Sequence, residues 1–372
     1  MKIGCVTEIK KHEYRSGMTP DNVETYRANG HEVFIQKGAG LGASFTDDDY
    51  RAKGAVIIES AGEIWAASDM IIKVKEPLEA EYPLIRRDQI LYTYLHLAPN
   101  RPLTDALLAS GAKAVAYETV RDAAGRLPLL KPMSEVAGRL SIQEGAKYLE
   151  GPMGGRGVLL GGVPGVPRAR VLIVGGGVVG LNACKMAAGA GAAVTILDSS
   201  AERLAYLDDI FGQRIQTLYS QETVLEKALY EADLVIGAVL IPGAAAPKLI
   251  KRKYLANMKK GGVIVDVAVD QGGCAETTKP TYHDDPVYTV DGVIHYCVAN
   301  MPGAVARTST IALTNATLRY GLAIANNGLE NAARADGGLA LGINCYRGLL
   351  TCREAAESLN LPYADSGASW NS

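Results

Sequence analysis

Val171-Leu172-Ile173-Val174-Gly175-Gly176-Gly177-Val178-Val179-Gly180, followed by Val194-Thr195-Ile196-Leu197-Asp198, is the stretch whose reading decides the fold. Its β-branched run predicts a buried parallel strand. Gly175 then permits a tight turn, Gly177 lets the backbone approach a pyrophosphate, and Gly180 lets the next helix pack closely on the strand. Val178 and Val179 follow at the start of that helix, where unpaired N–H groups and the helix dipole favour an anion. Residues 181–190 are rich in alanine and read as helix, with Gly189 and Gly191 bracketing the end. Asp198 closes the second strand, about 20 residues downstream, where a carboxylate meets the ribose hydroxyls of a dinucleotide. Such a carboxylate repels a 2′-phosphate, which favours NAD over NADP; Arg203 nearby argues the other way. A glycine-rich turn without a ligand is the alternative, and strand, helix and acid in register argue against it.

The chain of 372 residues has room for two domains with separate cores. Hydrophobic residues make up 48%, charged residues 21%, and the formal net charge is −2 with no dense Lys/Arg block, so nothing favours nucleic acid or a membrane surface. No apolar stretch reaches the roughly 18–20 residues of a membrane span, and the chain starts directly on an apolar strand, Met1 to Val6. Six cysteines without CxxC or CxxH spacing read as reduced core thiols of a cytoplasmic protein rather than as a disulfide frame or a metal site.

Outward from the glycine loop, short apolar runs recur at 193–197, 214–219, 234–239, 262–267 and 293–297, which with the run from Val171 supply the six strands of a complete dinucleotide-binding sheet. A second array precedes it, at 2–6, 32–36, 55–58, 70–74, 90–93 and 112–117, with helix candidates at 21–29 and 103–110 but no glycine phosphate loop. The expected fold is therefore α/β, with two doubly wound parallel-sheet domains. A Rossmann NAD domain, 131–306, is inserted into a Rossmann-like (flavodoxin-like) substrate domain formed by 1–130 and 307–372. Long helices at 132–149, capped by Ser134 and Glu135, and at 307–326 join them. The Gly/Pro-rich stretch 151–165 reads as a hairpin or loop at a subunit contact. A cleft between the domains is the expected active site.

Substrate chemistry must then come from polar residues at strand ends. Arg15, in the loop after the first strand, has a planar fork suited to a carboxylate; the alternative is a solvated surface arginine. Lys75 ends the run Met70-Ile71-Ile72-Lys73-Val74-Lys75, pointing either into a cleft or into solvent. His96, in Thr93-Tyr94-Leu95-His96-Leu97, can exchange protons near neutrality, or sits hydrogen-bonded in the core. Asp270, after the strand through Asp266, can meet a developing cation or simply cap a turn.

These stretches resemble the alanine dehydrogenase family along essentially the full chain. The resemblance is carried by Glu13-Tyr14-Arg15, Lys73-Val74-Lys75-Glu76-Pro77, Thr93-Tyr94-Leu95-His96-Leu97, Pro132-Met133-Ser134-Glu135-Val136-Ala137-Gly138, Asp266-Val267-Ala268-Val269-Asp270-Gln271-Gly272-Gly273 and His295-Tyr296-Cys297-Val298-Ala299-Asn300-Met301-Pro302-Gly303-Ala304. The proton-translocating transhydrogenase α-subunit shares part of this pattern. The resemblance implies Arg15 and Lys75 as carboxylate holders, His96 as acid/base and Asp270 as partner of the amine and the reacting water. Tyr94, Met133 and Asn300 are implied at the substrate. Besides the glycine loop, cofactor contacts are implied for Ser134, Asp198, Arg203, Ser220, the backbone at Val239 and Leu240, the loop Val267, Ala268, Val269 and Asp270, and Asn300 and Met301. It further implies reversible oxidative deamination of L-alanine to pyruvate and ammonia, no metal, and a cytoplasmic homohexamer. Ala245 and Ala306 depart from the family pattern; Ala306 replaces a proline at a helix start, so the loop ahead of it is expected to be looser. A transhydrogenase- or opine-type dehydrogenase, and a catalytically silent NAD-binding protein, are the alternatives on the same scaffold.

Overall fold

The computed structural model describes residues 1–239 and 246–365. The chain divides into two compact units: one is Ser134–Ala304, and the other combines Met1–Met133 with the chain from Val305 onward. Strands are numbered in chain order. The first six are β1 (Lys2–Cys5), β2 (Glu32–Gln36), β3 (Val56–Ile58), β4 (Met70–Ile72), β5 (Ile90–Thr93) and β6 (Lys113–Ala116). Seven follow: β7 (Arg170–Val174), β8 (Ala193–Asp198), β9 (Ile215–Tyr219), β10 (Leu234–Gly237), β11 (Val263–Asp266), β12 (Val287–Val290) and β13 (Val293–Tyr296). β14 (Ile343–Tyr346) and β15 (Leu349–Leu350) close the set.

Among the described residues the first unit holds one eight-stranded sheet, ordered β3-β2-β1-β4-β5-β6-β14-β15. β1 through β6 pair in parallel, and β14 pairs antiparallel with β6 and with β15. The flavodoxin-like aspect expected for this unit is corrected: β3 adds outside β2 instead of pairing with β1, so the order is 3-2-1-4-5-6 rather than 2-1-3-4-5. Helices cover the sheet because their starts are specified locally. Thr19 closes a capping box with Asn22 at the helix Pro20–Ala28, and Asn100 caps Arg101–Ser110. Ile71, Leu91, Leu97, Leu103, Leu107 and Ala114 share one buried core.

The second unit has the sheet β9-β8-β7-β10-β11-β13-β12, parallel except for β12. Its first six strands thus follow the expected dinucleotide-binding order. β12 was not foreseen, although its signal is present: Asp291-Gly292 joins it to β13 with both residues at positive φ, as a two-residue hairpin turn requires. The stretch 151–165 holds a short 3-10 turn, Gly151–Met153, further turns, and Val163, which bridges antiparallel to Val166 just beyond it. The helix expected at 132–149 runs Lys131–Tyr148, so Ser134 stands inside the first turn and does not cap it; Pro132 takes the early position that tolerates a missing N–H. The last long helix spans Ala306–Asn327, which puts Ala306 at its first position.

Candidate active site

In the first sheet β1 is flanked by β2 on one side and β4 on the other. Chain leaving the carboxyl ends of β1 and β4 therefore departs in opposite directions, which opens the crevice where ligands of such sheets bind. Arg15 follows β1, Lys75 follows β4, and His96 follows the neighbouring β5.

Arg15 is 2% exposed, which removes the surface-arginine alternative. Its Nε and Nη2 donate to the two carboxylate oxygens of Glu13 at 2.7 and 2.6 Å, and Nη1 points at Met133 Sδ, 2.9 Å away. The bidentate edge expected for a ligand is thus given to Glu13, and Nη1 is the nitrogen turned toward Met133. Burial alone opposes the charge, yet the Glu13 carboxylate outweighs it and holds the guanidinium firmly protonated. Tyr94 is buried beside this group with its hydroxyl donating to Leu129 O at 2.6 Å.

The two lysines of the β4 run differ. Lys73 is buried, with Nζ 2.8 Å from Glu81 and 3.3 Å from Glu8, and those carboxylates overcome its desolvation and keep it charged. Lys75 is only partly buried; its backbone carbonyl accepts from Thr93 Oγ1, which ties the end of β4 to β5. Glu8 accepts from the Val74 N–H at 2.6 Å, so it also shapes the turn that presents Lys75.

His96 is not a core histidine, because its side chain is 45% exposed. Its backbone is left-handed, φ 50°, and its N–H donates to Glu118 Oε1 at 2.7 Å. The ring stacks on Tyr94 with centroids 5.8 Å apart and planes at 28°, while Nδ1 lies 3.4 Å from Glu76 Oε2. A non-glycine residue in this conformation costs energy and persists where neighbours enforce it, as at functional sites.

In the second unit the glycine loop is built as its spacing demands. Gly175 has φ 102°, and a Cβ on Gly180 would lie 1.8 Å from the Gly175 carbonyl oxygen, so no side chain fits there. Nothing lies within 4 Å of a Cβ placed on Gly177, and the helix Val178–Gly189 that follows has no side-chain cap. An open approach to uncapped N–H groups fits a pyrophosphate. Asp198 accepts from Gly176 N at 2.7 Å and from Ser200 N at 2.8 Å, which fixes its carboxylate at the loop. Arg203 donates from Nε to Gly176 O and stacks on Tyr206. Ser220 N donates to Asp198 O, which places it at the same sheet edge. Val239 follows β10, next to β7 at this sheet's own reversal of order. Leu240, with Ala245, lies outside the described residues.

Beyond β11, Val267, Ala268, Val269 and Asp270 form a short turn, Val267–Gln271. The capping role suspected for Asp270 belongs to Asp266, which is fully buried and accepts from the backbone N–H groups of Ala268, Cys274 and Ala275 and from the Thr278 hydroxyl. Asp270 is left exposed at the turn. Asn300 is left-handed, φ 60°, its carbonyl near His283 Nε2, and precedes the buried Met301. Sequence reasoning passed over Glu13, Glu76, Glu118 and Asp266. Glu13 lies in an irregular loop, so no periodicity in the sequence announces its pairing with Arg15.

A dinucleotide-type glycine loop in one sheet and clustered charges at the strand ends of another define an oxidoreductase of the two-unit Rossmann class. Residues 4–137 match the family model described as alanine dehydrogenase/PNT, N-terminal domain, and residues 141–353 match the model of its C-terminal domain. The chain belongs to the alanine dehydrogenase/PNT family. It is 55% identical over 372 residues to the alanine dehydrogenase of Methanococcus maripaludis, covering 100% of both chains, and 52% identical to that of Mycolicibacterium smegmatis, covering 98% of this chain and 99% of the relative. A solved L-alanine dehydrogenase superposes with a TM-score of 0.94 at 52% identity, over 97% of this chain and 99% of that one. A transhydrogenase from Sinorhizobium meliloti, 22% identical with a TM-score of 0.80 over 95% of this chain and 99% of that one, shares the fold.

Proposed function

We propose that the protein catalyses the reversible conversion of L-alanine, NAD⁺ and water into pyruvate, ammonium, NADH and a proton. The observation that carries this reading is the placement of Arg15, Lys75 and His96 at the carboxyl ends of β1, β4 and β5, around the reversal of strand order. Asp198 at the glycine loop favours the cofactor without a 2′-phosphate. NAD, when bound, supplies the acceptor for the hydride of alanine's α-carbon.

Within the first unit, Arg15 through Nη1 and Lys75 through Nζ hold the substrate carboxylate, which orients the α-carbon. Buried Tyr94 and Met133 would bound the substrate side chain; an added methylene changes discrimination by only about 1–3 kcal/mol, so serine and 2-aminobutyrate are expected as poor substrates. His96 takes a proton from the water that adds to the iminium carbon, then returns one to the amine as the carbinolamine collapses and ammonia leaves. In the second unit, the Asp270 carboxylate balances the cationic nitrogen, Asn300 joins the substrate contacts, and Ser134, Arg203, Ser220, Val239, Val267, Ala268, Val269 and Met301 contact the cofactor. We also assign the protein to the cytoplasm as a homohexamer, with exposed Leu159, Val163 and Val166 at a subunit contact; sedimentation velocity tests the assembly. Among the described residues no helix is long and apolar enough to cross a membrane.

The test is a panel of amino acids with NAD or NADP at alkaline pH, following reduced nicotinamide and free ammonia together. Alanine with NAD should dominate. Reduction without ammonia release would exclude deamination, and no turnover with retained NADH binding would leave a binding protein.

A further inference from the structure

We propose that Glu76 is a positioning residue for His96, selecting which ring nitrogen exchanges protons, and that Lys10 sets how strongly it does so. The inference rests on His96 serving as the acid/base.

The two oxygens of Glu76 are divided between two partners: Oε2 lies 3.4 Å from His96 Nδ1, and Oε1 lies 2.5 Å from Lys10 Nζ. The Glu76 side chain is 9% exposed while that of His96 is 45% exposed, so the carboxylate sits behind the ring on the protein side. Two further constraints act on the same residue. Glu118 accepts the His96 N–H and also that of Leu95, which pins the left-handed backbone. Tyr94 covers one ring face, and its own hydroxyl is anchored on the Leu129 carbonyl. With backbone and face fixed, Nδ1 stays on Glu76 and Nε2 is the atom that meets substrate. An imidazole that donates Nδ1–H to a carboxylate carries its lone pair on Nε2, the tautomer a proton acceptor needs.

Burial acts to raise the Glu76 carboxyl, but its hydrogen bonds to His96 and Lys10 outweigh burial and hold it well below the ordinary carboxylate range. Glu76 is therefore ionised wherever the enzyme works. The charged and titratable groups around the ring are Glu76 after β4, Lys10 after β1, Tyr94 after β5 and Glu118 after β6, with Lys75 adjacent to Glu76 in the chain. Of these, Glu76 meets the ring edge, and Lys10 draws on the same carboxylate.

Two substitutions must then act in opposite senses. Glu76→Gln removes the negative charge that stabilises the imidazolium, so the acid limb of the kcat/KM profile moves to lower pH by roughly one unit, with turnover reduced about 10²-fold. Lys10→Met leaves Glu76 undivided, so the limb moves to higher pH. Lys10 is 39% exposed, so this variant keeps the test open if Glu76→Gln fails to fold. Nitrogen-15 NMR of the histidines, with His96→Asn for assignment, reads the ring without turnover and should show Nδ1 protonated in the neutral form. Limbs that coincide with the parent's, limbs that shift in the same direction, or a neutral ring protonated on Nε2 would overturn the proposal. Full turnover in His96→Asn would instead overturn the acid/base reading, and the NMR titration would still decide the role of Glu76.

Discussion

The two sheets share the order 3-2-1-4-5-6 at their cores, yet the loops leaving their first strands are built by opposite means. After β7 the chain turns at once through Gly175 to Gly177 into an uncapped helix, so backbone N–H groups are offered to a ligand. After β1 a longer loop runs to Thr19, whose side chain closes the helix start Pro20–Ala28; the charged groups near it are side chains held by buried partners. At one switch point side chains have been removed, at the other they have been added. The first offers backbone groups braced at Gly176 by Asp198 and Arg203, while the second depends on ion pairs such as Arg15–Glu13 and Lys73–Glu81.

The largest effect should come from the side-chain site. His96→Ala is expected to lower alanine turnover by about 10²–10⁴-fold with NADH affinity unchanged; steady-state rates beside a fluorescence titration of NADH check both, and a parallel loss of affinity would blur the division between the two loops. Glu13→Ala strands a buried guanidinium and should cost about 3–5 kcal/mol in denaturant unfolding. At the glycine loop the two ends should separate. Gly180→Ala forces a Cβ against the Gly175 carbonyl and is expected to cost about 3 kcal/mol of stability, whereas Gly177→Ala meets no protein atom and should leave the melting temperature alone while weakening NADH roughly tenfold, or about 1.4 kcal/mol.

Acid stability sharpens the contrast at the smallest scale. In the second unit, burial lowers His295 below its ordinary 6.5, so its contribution is complete above that pH and declines as the unfolded chain takes up the proton below it. In the first unit, Glu76 is depressed, so its contribution is complete above about 4.5 and fades only as pH falls further. Unfolding followed against pH should show an early decline that His295→Gln removes and a later one that Glu76→Gln removes.

The glycine loop was fully legible because each of its requirements is local: a turn, a close approach, a helix packed on its own strand. Strand positions were legible for the same reason, as β-branched runs between helix caps. Strand order was not, because nothing in residues 56–58 says whether β3 seeks β2 or β1. The charged residues at the strand ends stood out in the sequence, but their partnerships did not. Arg15 stood out in the sequence, yet its bidentate edge goes to Glu13, and Lys73, the buried lysine of the pair, needs Glu8 and Glu81 brought in from elsewhere. Asp266 and Asp270 show the limit most plainly: four residues apart, one is buried and organises the turn and the other is exposed on it.

The antiparallel pairing of β14 with β6 has a consequence for how the chain is made. The unit bearing the glycine loop is one continuous segment and emerges from the ribosome complete. The other holds the edge of β6 unpaired until residues 343–346 have been synthesised. During biosynthesis the unit with the glycine loop can thus close before the first sheet gains its β14 pairing.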